Sequence, residues 1–161
     1  MDVLWNPWRY DYIKGERPDG DTSCVFCDLA HDSARDEERF ILKRAEYNFV
    51  ILNLFPYSTG HLLIVPYDHL ALLDQTTDQT ASEMMALTKS AQSALSDAYS
   101  PQGFNLGMNL GNAAGAGVAD HLHMHILPRW GGDVNFMTAI GGTRNIPETL
   151  SDTYLKLKGR I

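Results

Sequence analysis

The chain has 161 residues, 44% of them hydrophobic and 20% charged, which suits one globular domain with a real core and not a disordered chain. Its 13 Lys and Arg against 20 Asp and Glu leave a formal charge of -7, which argues against a nucleic-acid polymer as partner but leaves a small anionic ligand open. No apolar run approaches the roughly 20 residues of a membrane span, and Met1–Arg9 lacks the pattern of a signal peptide, so a cytoplasmic protein without a membrane partner is expected.

Residues 1–22, rich in aromatics and turn formers, read as an irregular arm, and 23–161 as a single domain. Cys24 and Cys27, in C-x-x-C spacing, open a short polar helical piece that runs to about Glu38. The pair suits metal ligation or redox chemistry; simple packing is the bland alternative. Phe49 to Phe55 is strand-like, Pro56-Tyr57-Ser58-Thr59-Gly60 reads as a turn, and His61 to Pro66 as a second strand. The two form an antiparallel hairpin with a five-residue loop. A long helix is predicted over Asp78–Tyr99, with Asp78 as N-cap and a core stripe of Ala81, Met84, Met85, Thr88, Ala91, Leu95 and Ala98. Phe104 to Leu110 is a third strand. Its Asn105, Gly107 and Asn109 share one face, and Phe104, Leu106, Met108 and Leu110 share the core face. A glycine-rich loop over 111–117 leads into a fourth strand, His121 to Pro128. The sum is α+β: an antiparallel sheet with one main helix on one face.

In that last strand His121, His123 and His125 alternate with Leu122, Met124 and Ile126. Alternate strand side chains share a face at about 6–7 Å, so the histidines line one side and the apolar residues enter the core. Three imidazoles in a row gain nothing as packing, because each must be solvated or hydrogen-bonded. They suit phosphate chemistry, in which one neutral ring attacks phosphorus while its neighbours hold nonbridging oxygens. A purely metal-binding histidine face is the alternative.

The run His121-Leu-His123-Met-His125-Ile-Leu-Pro128 resembles the signature of the histidine-triad superfamily of nucleotide hydrolases and transferases. Leu4-Trp5-Asn6-Pro7-Trp8-Arg9, the Cys24/Cys27 pair, Asn53, Gly60-His61, Asn109 and Trp130-Gly-Gly-Asp-x-Asn-Phe136 fall in the order of a bacterial subgroup similar to diadenosine tetraphosphate phosphorylases. The resemblance implies cleavage at the α-phosphate of a dinucleoside polyphosphate, with water or inorganic phosphate as acceptor. It makes His123 the nucleophile that carries a covalent nucleotidyl group, with His125 and His61 on the α-phosphate. It assigns Asn53 to a ribose and Asn109 to a phosphate; backbone N–H groups up to Gly117 add to an anion nest. Bland readings stand beside these, with His61 as a strand-end surface residue and Asn53 as a turn cap. Many relatives carry Ser, Thr or Gln near Gly117, where this chain has Ala116-Gly117-Val118-Ala119. Side-chain help to the leaving group is therefore not expected there.

The resemblance also implies structural Zn²⁺ on Cys24, Cys27, His69 and His121, with His31 as a spare candidate. It further implies a homodimer whose sheets join into one. An adenosine phosphoramidase and a nucleotide-binding regulatory module with vestigial catalysis are the rival functions. Trp130 and the tail aromatics suit either a base contact or a core or dimer-interface role.

Overall fold

In the computed structural model the described residues are 24–31, 33–133, 140 and 146–161. The expected arm, the Leu4–Arg9 segment and the end of the Trp130–Phe136 motif lie outside them. The elements run α1 (Val25–His31), β1 (Ile41–Arg44), β2 (Asn48–Leu52), β3 (Leu62–Pro66), α2 (Asp78–Tyr99), β4 (Gly103–Met108), β5 (Met124–Arg129) and α3 (Leu150–Leu157). The strands form one antiparallel sheet in the order β1-β2-β3-β5-β4. The α+β class is as expected, with a fifth strand at one edge and a second helix in the tail.

β2 is apolar on both faces because both faces are covered. Val50 and Leu52 join Leu62, Ile64, Leu122, Met124 and Ile126 beneath α2 and α3, whose Met84, Leu95, Tyr154 and Leu157 complete that core. Phe49 and Ile51 join Ile41, Leu63 and Val65 on the opposite face, beneath Phe26 of α1. Arg44 fixes the end of α1 there. Its guanidinium donates to the carbonyls of Leu29 (2.8 Å) and Ala30 (3.0 Å) while pairing with Asp36.

Several boundaries differ from the sequence expectation. Thr77, not Asp78, caps α2, its side chain accepting from the Thr80 N–H; Asp78 is the first helical residue, where its charge still suits the helix dipole. Met85 is 52% exposed and Leu87 takes the core place expected for it. Leu106 lies on β4, an edge strand, and is 47% exposed in spite of its apolar alternation. β2 ends at Leu52, so the connection to β3 spans residues 53–61 and both Asn53 and His61 belong to it.

Candidate active site and metal centre

The ladder of β5 begins only at Met124, so His121 and His123 precede it and do not lie within the strand expected over His121–Pro128. That segment is held from beside: the Leu122 N–H donates to Leu70 O at 2.6 Å. The alternation survives. Leu122, Met124 and Ile126 enter the α2-side core, and the three histidines turn to the other face, all buried. His125 sits in register between Leu63 of β3 and Gly107 of β4. Its ring lies 4.9 Å from that of His123.

His61 approaches from the 53–61 connection. Gly60 just before it has φ +74°, and a Cβ there would meet Leu95 Cδ2 at 2.9 Å. Only glycine fits this close approach and this backbone conformation. The result is a buried His61, 1% exposed, which overturns the surface-residue reading.

Partners of fixed polarity assign the protons of all four rings. A carbonyl only accepts, so His123 carries its proton on Nδ1, which donates to His121 O at 2.9 Å and leaves Nε2 bare. His121 carries its proton on Nε2, donating to Pro66 O at 2.9 Å and leaving Nδ1 bare. A backbone amide only donates. The Tyr57 N–H at 3.1 Å therefore makes His61 Nδ1 an acceptor, and the proton sits on His61 Nε2. That Nε2 donates to His125 Nδ1 at 2.9 Å, so the His125 proton is on Nε2. Nε2 of His125 is buried without a hydrogen-bond partner among the described residues. It is an unspent donor on a residue that, with His123, Asn53, Asn109, Gly117 and Val118, helps to line a pocket.

Burial keeps these rings neutral. It pushes His61 down to about 3 and His125 to about 4, assisted by repulsion from neighbouring histidines, and lowers His123 as well. The pocket wall is otherwise apolar, with Phe26, Leu29, Ile51 and Leu63. Gly117 and Val118 bring no side-chain donor to it. The Asn53 amide is engaged at both ends: Oδ1 accepts from the Phe55 N–H at 2.9 Å and Nδ2 lies 3.2 Å from His61 Nδ1. The turn-capping reading of Asn53 is thus realised, at the pocket's edge.

At the other end of the run, Cys24, Cys27, His69 and His121 each bring a ligand atom, all within 4.8 Å of one another. His121 Nδ1 is 3.3 Å from Cys24 Sγ and 3.7 Å from Cys27 Sγ, and His69 Nδ1 is 3.3 Å from Cys27 Sγ. A tetrahedron with bonds of about 2.0–2.3 Å has edges of roughly that length. Burial holds His121 neutral, as ligation requires, and the Pro66 carbonyl orients its ring. The four residues fit a Cys₂His₂ metal centre. The expected spare, His31, is not in this group.

Two site residues escaped the sequence reading. Phe26, inside the C-x-x-C spacing, packs its ring 5.3 Å from His121 and 5.1 Å from His123. Tyr57 packs against His61 and His125. An aromatic in the middle of a turn sequence was the available signal for the second.

The HIT-domain family pattern matches residues 34–132. A relative from Mycobacterium tuberculosis, described as AP-4-A phosphorylase, is 42% identical over 93% of this chain and 79% of its own length. A Schizosaccharomyces pombe protein described as adenosine 5'-monophosphoramidase is 29% identical over 66% of this chain and 74% of its own. Among solved structures, a Zn-bound histidine triad family protein from Mycobacterium smegmatis aligns with a TM-score of 0.68 and 28% identity, covering 86% of this chain and 92% of that one. This chain belongs to the histidine-triad (HIT) family and is an enzyme of it.

Proposed function

We propose that the protein cleaves a dinucleoside polyphosphate of the diadenosine tetraphosphate type at its α-phosphate, through a nucleotidyl group carried covalently on His123. The observation that carries this reading is a bare imidazole nitrogen, His123 Nε2, next to an unspent N–H on His125. Nε2 attacks the α-phosphorus, the bond to the bridging oxygen of the leaving polyphosphate breaks, and that oxygen departs with the electron pair. The attacking ring becomes positive, and the His121 carbonyl on Nδ1–H stabilises it. His125 Nε2–H, backed by His61, donates to a nonbridging oxygen. Water or inorganic phosphate then attacks the same phosphorus, the P–N bond breaks with its electron pair returning to Nε2, and an attacking water gives up its proton to solvent. Asn53 serves the ribose, and Asn109 with the backbone near Gly117 the phosphates. The 42% identity to an AP-4-A phosphorylase supports the substrate class.

The donor set supports structural Zn²⁺ on Cys24, Cys27, His69 and His121. When bound, the ion supplies rigidity: it anchors the His121 ring, whose backbone carbonyl orients His123. We further propose a cytoplasmic homodimer, joined where β4 leaves a sheet edge with Leu106 and Leu110 exposed. Among the described residues no helix is long and apolar enough to cross a membrane.

Product analysis of diadenosine tetraphosphate turnover tests the reading. ADP that appears only with added phosphate supports phosphorolysis, and AMP without phosphate supports hydrolysis. Neither product, despite nucleotide binding, overturns it. Cleavage confined to P–N substrates would make the chain a phosphoramidase instead.

A further inference from the structure

The orientation of the His61 and His125 rings depends on a residue outside the histidine run. The Tyr57 main-chain N–H is the donor that makes His61 Nδ1 an acceptor, and every proton from there to His125 Nε2 follows from it. The Tyr57 side chain lies along the same pair, its ring 4.8 Å from His61 at 42° and 6.0 Å from His125 at 19°. Both separations fall in the range where aromatic rings attract. Tyr57 also borders both the catalytic pocket and a second, wider cavity of about 660 Å³ that Arg129 and Trp130 help to line. Tyr57 thus borders both cavities while its ring packs beside the two imidazoles. A smaller side chain would open the His61–His125 contact to water, which could bridge either ring in either tautomer.

We propose that Tyr57 is the positioning residue of the His61–His125 pair: its backbone fixes the direction of the hydrogen bond between the rings, and its aromatic face holds them in register so that Nε2–H of His125 points into the pocket. A tautomeric flip at either ring would turn a bare nitrogen toward the phosphate oxygens, replacing a donor by a repulsive lone pair. The role rests on the catalytic reading above, but its test does not.

The experiment is ¹⁵N imidazole spectroscopy of the full chain, alone and alongside diadenosine tetraphosphate kinetics, for the wild type and Tyr57→Phe, Tyr57→Leu and Tyr57→Ala. In the wild type, His61 and His125 should each show a bare Nδ1 and a protonated Nε2. Tyr57→Phe keeps both backbone donor and ring and should keep those shifts, with kcat within about twofold of wild type. Tyr57→Leu fills space without a planar face. It keeps the backbone donor, so His61 should hold its tautomer; the loss of ring register should show as averaged His125 nitrogens and a kcat down roughly 10- to 100-fold, with KM within about threefold. Tyr57→Ala should go at least as far, and the leucine variant keeps the test decisive if alanine lowers the melting temperature. Wild-type shifts and kcat in Tyr57→Leu would overturn the proposal, as would a phenylalanine variant as impaired as leucine. The shifts are read without substrate. A wild type that shows the predicted shifts but no turnover would therefore sink the catalytic reading and leave the role of Tyr57 standing.

Discussion

At the His121 end of the histidine run the bare ring nitrogen faces two thiols and a second imidazole, and the protonated one is spent on the Pro66 carbonyl. At the His125 end the polarity is reversed: the bare nitrogen is spent on His61, and the protonated one is buried and unspent among the described residues. His123, between them, presents a bare nitrogen because the His121 carbonyl holds its proton. One residue type thus presents two lone pairs and one N–H, the polarities that the proposed ligand, nucleophile and donor roles require. What separates them is the group facing the second nitrogen. A carbonyl there makes the outward nitrogen a lone pair; another imidazole, itself oriented by a backbone amide, makes it an N–H.

The sharpest way to break this division is at its centre. His123→Asn keeps a polar side chain but supplies no nucleophilic nitrogen, and turnover should fall on the order of 10³-fold or more. Mass spectrometry of the quenched wild-type reaction should find a nucleotidyl adduct on His123. A His123→Asn protein that keeps more than a tenth of its turnover would remove the distinction between the middle ring and its neighbours.

The metal end comes next. Cys24→Ser removes a soft donor from a four-ligand set, so metal content by elemental analysis should drop from one ion per chain toward none. The melting temperature should fall by about 10 °C, as expected for several kcal/mol in a domain of this size. In the proposed centre His121 would ligate the ion while its carbonyl holds the His123 proton, so kcat should fall about 10- to 100-fold as well. Unchanged kcat in a metal-free protein would show that the two ends of the run are independent. Phe26→Ala tests the same link through packing. Phe26 is 7% exposed between the rings of His121 and His123, and its loss should cost about 3–5 kcal/mol in urea unfolding. A loss under about 1 kcal/mol would mean that the two rings hold their places without it.

These two ends were not equally legible in sequence. The alternation in His121–Ile126 carries its own geometry, since period 2 assigns faces whether or not the ladder has begun, and it begins later than expected. The grouping of Cys24, Cys27, His69 and His121 was legible only through resemblance, because C-x-x-C alone leaves the other members open. The polarity of the His61–His125 pair was not legible at all. It depends on where a main-chain N–H points in the 53–61 connection, and no side-chain pattern encodes that. Two elements were missed for a related reason. Ile41–Arg44 is short and half basic, and its Arg44 is spent on α1 carbonyls and Asp36. Leu150–Leu157 is too short for periodicity to stand out; its signal is the Thr149 cap, which accepts from the Asp152 N–H at 3.1 Å.

The smallest effect is the one that isolates the donor end. His61 and His125 hold folded values of about 3 and about 4, against an ordinary 6.5. The folded state therefore binds fewer protons than the unfolded chain between pH 6.5 and about 4. The sign follows: stability is unaffected above 6.5 and declines as pH falls through that window, by up to about 1.4 kcal/mol per pH unit for each histidine. Among the described residues the rings packed against His125 are those of His61, His123 and Tyr57, none of them acidic, so none of them offsets a proton taken up on its ring. His125→Asn removes one of these groups and leaves the metal ligands in place. Urea midpoints at pH 7, 6 and 5 should fall less steeply for the variant than for the wild type, by about one proton's worth of slope, although the variant is less stable at pH 7. Protonation at the metal end contributes to both proteins and cancels in the difference. Parallel slopes would mean that His125 titrates normally, and the contrast between a neutral donor end and a ligating end would fail where it is most exposed to measurement.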